Sequence, residues 1–344
     1  MAGSSKGVLQ VRLYRYRVAL RFAISWGGRA HSVREGALVR LTDNDGREGW
    51  GEIAPLPGFS AESLTSALAS AKQIGSQLNT HEHLRGVLRH PDLACSVRSG
   101  LAQAAWQLQS SNSWSAGTAV RLQALLTGSH EQILSQARQY ASEDVSVVKV
   151  KVGQGAVSDD IRLVRKVSAL LPEARLRLDA NRSWQPDQAR RFIDGVYDSN
   201  IDYLEEPLPP GADWRRLMQQ SPLPIALDET LRETGTDERV SAARVYVIKP
   251  ALMGGLTVAE SFIRTAVGTN KRCIISSSWE SGIGMYTLLK LASGLPTEAH
   301  GLDTYRLLAG DVLRHKLPLT PPETCLPARL PSIDDIDWQF VTPA

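Results

Sequence analysis

From about residue 118 the chain settles into short β-branched runs separated by helix-length mixtures of polar and apolar residues. The runs fall at 119–126, 145–152, 175–180, 201–206, 225–229, 245–249, 273–278 and, more weakly, 298–303. Their starts lie roughly 20 to 30 residues apart, the length of one strand plus one helix, which predicts a parallel sheet closed into a barrel of the α/β class. An open doubly wound sheet would favour a glycine-rich phosphate loop after its first strand, and no Gly-x-Gly-x-x-Gly follows here. The first ninety residues read differently. Segments 36–42 and 47–53 are extended runs joined by Asp43-Asn-Asp-Gly, whose glycine supplies the positive φ of a tight antiparallel hairpin. A loop rich in Pro and Gly follows, and Ser60 with Glu62 suits a capped helix start. The expected division is an α+β domain over 1–97 and a barrel over 98–310.

Composition narrows the function classes. The 344 residues carry 39 Lys and Arg against 36 Asp and Glu, a net charge of +3 with both signs dispersed, so no basic face for nucleic acid is written. No uninterrupted apolar stretch reaches the roughly 18 residues of a membrane span, and the stretch from Gly7 lacks the apolar core of a signal peptide. The expectation is a cytoplasmic protein acting on a small molecule, with no nucleic-acid or membrane partner. Cys95, Cys273 and Cys325 are odd in number and far apart, which suits small apolar side chains in a reduced compartment rather than disulfides or a zinc site.

Reactive groups of a barrel sit at the C-terminal ends of its strands, and alternation lets each run be read for what it points inward. Val147-Val-Lys-Val-Lys-Val puts Lys149 and Lys151 inside, with Lys151 nearer the mouth. Leu176-Arg-Leu-Asp-Ala-Asn points Arg177, Asp179 and Asn181 inward. The next two runs end with Glu205 and Asp228, so three successive strands each deliver a carboxylate to one mouth. Like charges that close raise one another's pKa and call for a cation, and oxygen donors without His or Cys suit Mg²⁺ better than zinc. The sixth run ends with Lys249 inward, and in a ring of eight the second and sixth strands are opposed. A substrate carboxylate at the metal would then have its α-carbon flanked by two amines, an arrangement for proton abstraction α to a carboxylate.

At these residues a family resemblance is plain. Lys149-Val-Lys-Val-Gly, Leu176-Arg-Leu-Asp-Ala-Asn-Arg-Ser-Trp, Leu204-Glu-Glu-Pro, Asp228-Glu-Thr-Leu-Arg, Val247-Ile-Lys-Pro and Ile275-Ser-Ser-Ser-Trp resemble, in order, the o-succinylbenzoate synthase family of the enolase superfamily. The resemblance implies a (β/α)7β barrel, with the 1–97 domain as a cap completed by a tail from about 311 to 344. It implies dehydration of 2-succinyl-6-hydroxy-2,4-cyclohexadiene-1-carboxylate in menaquinone or phylloquinone biosynthesis, with Mg²⁺ as cofactor and Mn²⁺ as a substitute. Lys151 matches the family's base, Lys149 its companion amine, Lys249 the lysine across the site, and Asp179, Glu205 and Asp228 the metal ligands. Ser276, Ser277, Asn181 and Arg177 are read as substrate contacts. N-succinylamino acid racemase shares these residues and remains the nearest rival, ahead of dipeptide epimerase and muconate-type cycloisomerase. A non-catalytic barrel used for binding is the alternative of another class.

Overall fold

The protein is described by a computed structural model covering residues 9–110, 114–233 and 238–344. The start of the stretch read for a signal segment lies outside these residues. Three antiparallel strands, β1 (Gln10–Trp26), β2 (Arg29–Thr42) and β3 (Glu48–Ile53), open the chain. The expected hairpin is β2–β3, turned at Gly46 with φ of 74°, where the Asp43 carboxylate accepts from the backbone of Asp45 and Arg47. Helices α1 (Leu64–Gln77), α2 (His81–Arg89) and α3 (Cys95–Ser110) follow. The α1 cap is Ser63, in a capping box with Ser66, rather than Ser60, whose hydroxyl instead accepts from Leu56 N and closes the preceding loop.

The expected domain boundary at residue 97 falls inside α3. This helix packs on β3 through small residues: a Cβ at Gly51 would lie 1.9 Å from Gly100 O, and one at Gly49 would lie 2.1 Å from Ala104 O. Backbone thus meets backbone, and only glycine at these two strand positions permits it.

Next come β4 (Ala119–Arg121), β5 (Ala124–Leu126), α4 (His130–Tyr140), β6 (Val147–Lys151), α5 (Val157–Leu170), β7 (Arg175–Asp179), α6 (Pro186–Val196) and β8 (Ile201–Glu205). The chain continues through α7 (Trp214–Gln220), β9 (Ile225–Leu227), α8 (Glu238–Ala242), β10 (Val245–Ile248), α9 (Pro250–Met253), α10 (Leu256–Gly268), β11 (Arg272–Ile275) and α11 (Gly282–Ser293). Strands β5 to β11 form one parallel sheet in sequential order. The weak eighth run closes it through two parallel bridges, Leu122 with His300 and Ser276 with Gly301. The fold is the (β/α)7β barrel with an antiparallel-sheet cap.

The first expected run, 119–126, divides. β5 enters the barrel, whereas β4 pairs antiparallel with β12 (Glu323–Cys325) of the tail. The tail ends in β13 (Val341–Pro343), which adds a fourth strand to the cap sheet beside β1. Inside the barrel, Tyr203, Ala226, Val245, Val247 and Ile274 form their own buried cluster, separate from the larger core between strands and helices. Among the described residues, no helix is long and apolar enough to cross a membrane.

Because the β3–α3 contact is backbone on backbone, Gly51→Ala should destabilise the protein in urea titration by about 3 kcal/mol or more. Gly86→Ala, in α2 with open space around it, should stabilise by roughly 0.5–1 kcal/mol. Equal effects at the two positions would refute the close-approach argument.

Candidate active site

The strand register sets the site. Lys151 pairs with Asp179, and Asp179 with Glu205, across β6, β7 and β8, so an amine and two carboxylates share one level at the C-terminal ends. Asp228 follows β9 directly and Lys249 follows β10. Asp179 and Glu205 are fully buried and Asp228 is 2% exposed. Lys149 starts one level deeper and extends upward, placing its amine 2.7 Å from both Glu205 oxygens and 2.9 Å from Asp179 Oδ2. The Lys151 amine lies 2.5 Å from Asp179 Oδ2 and 2.7 Å from Asn181 Oδ1. Lys249 donates to Asp228 on the neighbouring strand end.

Electrostatics follow from this packing. Burial opposes the charge on Asp179, but Lys149 and Lys151 outweigh it and hold the carboxyl well below its ordinary range. Burial and then the Asp179 charge push Glu205 up, so its charged form depends on a nearby cation. Burial pulls the Lys149 and Lys249 amines down, yet their carboxylate neighbours prevail and hold both above the usual lysine value. Lys249 is therefore a standing cation.

Among the described residues, no three His, Cys, Asp or Glu side chains form a ready-made metal cage, because the carboxylates are turned onto the lysines. Their chemistry still fits a hard divalent cation. Asp179, Glu205 and Asp228 could supply oxygen donors from three successive strand ends, each already held by a positive group that a metal ion could replace.

A cavity of about 480 Å³ opens over these groups, lined by Lys149, Lys151, Lys249, Asn181, Ser276 and Ser277 among others. Ile24, Trp26, Leu56 and Phe59 roof it from the cap. Two cap loops cross above it at Gly27 and Gly58, both at positive φ, where a Cβ on Gly58 would lie 2.5 Å from Gly27 Cα. Arg34, buried at the junction, donates to Ala54 O at 2.6 Å and Pro55 O at 2.8 Å on the cap, and to Trp279 O at 3.0 Å on the barrel. Trp26 stacks on Trp279 with ring centres 4.9 Å apart. One guanidinium thus ties the roof to the wall.

Arg177 is not at the mouth, contrary to its expected role as a substrate contact. It points inward but one level below Asp179, fully buried, donating to Asp202 at 2.8 Å, Gln123 at 2.7 Å and Glu298 at 3.1 Å. Alternation distinguishes inside from outside, and two residues along a strand, about 6.6 Å, separate mouth from floor.

Several residues escaped the sequence reading. Glu206, at φ of 41° and fully buried, accepts from Asp228 N and Thr230 N at 2.8 Å and from Arg182, so it orients the strand end that carries Asp228. Glu229 lines the cavity and accepts from Asn181, with burial and then Asp228 pushing it up to about 7. The doubled Glu-Glu and Asp-Glu after β8 and β9 were the available signal.

Comparisons with known proteins agree with this fold. Residues 132–325 match the enolase C-terminal domain-like family, and residues 8–108 match the MenC N-terminal domain. The o-succinylbenzoate synthase of Pectobacterium atrosepticum is 34% identical over 338 residues, covering 96% of this chain and 99% of the relative. The L-Ala-D/L-Glu epimerase from Bacillus subtilis shares the fold with a TM-score of 0.83 at 20% identity, over 94% of this chain and 97% of that one. A dipeptide epimerase from Enterococcus faecalis, complexed with Mg and the dipeptide L-Leu-L-Tyr, shares it with a TM-score of 0.81 at 18% identity, over 98% and 99%. The fold is that of the enolase superfamily. Within it, the chain belongs to the o-succinylbenzoate synthase family.

The cap–barrel junction yields a pH test. Glu280 is buried beside Glu52, and one of its oxygens lacks a hydrogen-bond partner among the described residues; burial first, then the Glu52 charge, raises it from 4.5 to about 7. The folded protein thus holds this proton more tightly than the unfolded chain. Its contribution to stability is full below about pH 4.5 and is lost as pH rises through about 7. Glu280→Gln should be the more stable protein at pH 8, by on the order of 3 kcal/mol, with the difference closing near pH 4 in urea titrations. A difference independent of pH would overturn this account.

Proposed function

We propose that the protein is an o-succinylbenzoate synthase, a cytoplasmic lyase that removes water from 2-succinyl-6-hydroxy-2,4-cyclohexadiene-1-carboxylate to give 2-succinylbenzoate for menaquinone or phylloquinone. The observation that carries this reading is the pair Lys151 and Lys249 lining one cavity on either side of Asp179, Glu205 and Asp228. The near full-length match to a relative of that name supports it. Mg²⁺, with Mn²⁺ as substitute, would be held by those three carboxylates and would polarise the substrate carboxylate as a Lewis acid.

Lys151 gives up its contact with Asp179, loses a proton to solvent, and as the neutral amine takes the α-proton. The C–H electron pair becomes the new ring double bond, the C–O bond breaks, and the departing hydroxyl takes the proton back from Lys151 as water. Lys249, held cationic by Asp228, faces the negative charge that develops. Lys149 keeps Glu205 and Asp179 in place and adds positive charge beside Lys151. The cap's apolar roof excludes bulk water.

Racemisation of N-succinylamino acids is a second reading, favoured by the same opposed lysines, since that reaction uses both as proton carriers. The test is turnover of the cyclohexadiene substrate beside each enantiomer of an N-succinylamino acid in deuterated water. Arg keeps a cation but is a very poor base. Dehydration is expected to persist measurably in Lys249→Arg and to fall at least a thousandfold in Lys151→Arg, roughly 4 kcal/mol of barrier. Higher kcat/KM for racemisation than for dehydration in the wild-type protein would replace the synthase reading.

The metal is tested separately. Chelation should abolish turnover and Mg²⁺ or Mn²⁺ restore it. Asp228→Asn should weaken metal binding at least tenfold by calorimetry while leaving the unfolding midpoint within a few degrees. Full activity after exhaustive chelation would exclude the metal role.

A further inference from the structure

The wall of the cavity formed by β5, the end of β11 and the segment at Gly301 carries no lysine or arginine; its polar lining groups include Gln123, Ser276, Ser277 and Thr304. Its single carboxylate, Asp303, is tied to Arg306 and to Leu125 N. Gln123 is 4% exposed, and its Oε1 accepts from Arg177 Nη1 at 2.7 Å. A guanidinium has donors only, so the amide oxygen must face Arg177 and the NH₂ must face the other way. A Cβ built at Gly301 would lie 3.0 Å from Gln123 Nε2 and 3.0 Å from Ser276 Oγ, so the NH₂ and that hydroxyl converge beside a residue with no side chain. Nε2 has no hydrogen-bond partner among the described residues. The result is a donor fixed in direction and open to the cavity, on a residue that is otherwise buried.

We propose that Gln123 recognises the succinyl arm of the substrate, its Nε2 donating to an oxygen of that arm, with Arg177 as the positioning residue that sets the amide's orientation. The inference rests on the proposed function only in requiring a succinyl-bearing carboxylate, and both readings above supply one. Lysines and metal would hold the carboxylate beside the reacting carbon, which leaves the second polar end of such a ligand to uncharged donors. A cavity-facing donor stripped of solvent by a ligand must be given an acceptor, so this wall discriminates against ligands lacking the arm.

The test is calorimetric binding of 2-succinylbenzoate, an N-succinylamino acid and benzoate to the Mg²⁺-loaded protein and its variants. Gln123→Leu removes the donor, and Kd for the two succinyl ligands should rise at least tenfold while Kd for benzoate changes less than threefold. Gln123→Glu is the decisive variant. It keeps and strengthens the contact to Arg177, so the unfolding midpoint should not fall, but it replaces N–H donors by a carboxylate oxygen, and the preference for succinyl ligands over benzoate should drop at least a hundredfold. If Gln123 served only to pair with Arg177, Gln123→Glu would bind the succinyl ligands like wild type, and that result overturns the proposal. A wild-type protein that binds neither succinyl ligand overturns the proposed function instead, and with it this assignment.

Discussion

Charge neutrality in a water-poor mouth is the constraint on which this molecule depends. Three strand ends deliver Asp179, Glu205 and Asp228 to one place, all but removed from solvent. Two like charges about 4 Å apart repel by about 4 kcal/mol at an effective dielectric of about 20, a large share of the roughly 5–15 kcal/mol that holds a typical domain folded. Lys149, Lys151 and Lys249 offset that repulsion, since each lies within hydrogen-bond reach of a carboxylate. The same pairing makes the site chemically ready. Under the proposed function a divalent cation would take over the carboxylates that place the amines, so loading the site with metal and freeing the amines would be one exchange.

The cap depends on that mouth as well, since its loops must close over it without bringing in uncompensated charge. Its roof is apolar, and the polar work of attachment is done behind it. Arg34 spends its donors on backbone carbonyls of both domains, while Glu52 reaches from β3 to accept from Ser281 N at 3.0 Å and Gly284 N at 2.9 Å at the start of α11. Crossing of the loops at Gly27 and Gly58 leaves no room for side chains between them. The mouth is thus covered by side chains chosen for shape, and the charges that position the cover lie outside the reacting volume.

How much of this is legible in the sequence depends on what alternation and spacing encode. Strand runs, the barrel, the hairpin and the carboxylates and lysines of the mouth all follow from period-two patterns and regular repeats. The first run misled because 119–126 holds two short strands with different partners, and nothing local to it announces that the tail segment 323–325 will pair with β4. The α1 cap at Ser63 rather than Ser60 turns on a loop contact to Leu56 that spacing does not reveal. Glu206, Gln123 and Arg34 were missed for a common reason: each acts through partners distant in sequence.

Arg177 shows where alternation stops being informative. In the register, Lys149 and Arg177 are paired neighbours on adjacent strands, both inward and both positive. Side by side they would repel, and the structure separates them by sending the heads in opposite directions. Lys149 extends up to Glu205 and Asp179, whereas Arg177 turns to the floor, where Asp202 and Glu298 receive it together with Arg272. The barrel interior therefore carries two charge layers with different properties. The lower one is closed by multiple ion pairs and by Tyr203, whose ring centre lies 5.0 Å from the Arg177 guanidinium, and it has no reason to open. The upper one is balanced by single flexible amines beside a cavity. A long side chain can change layers without changing face, so the assignment of a cation to floor or mouth is fixed by which carboxylates other strands place within its reach.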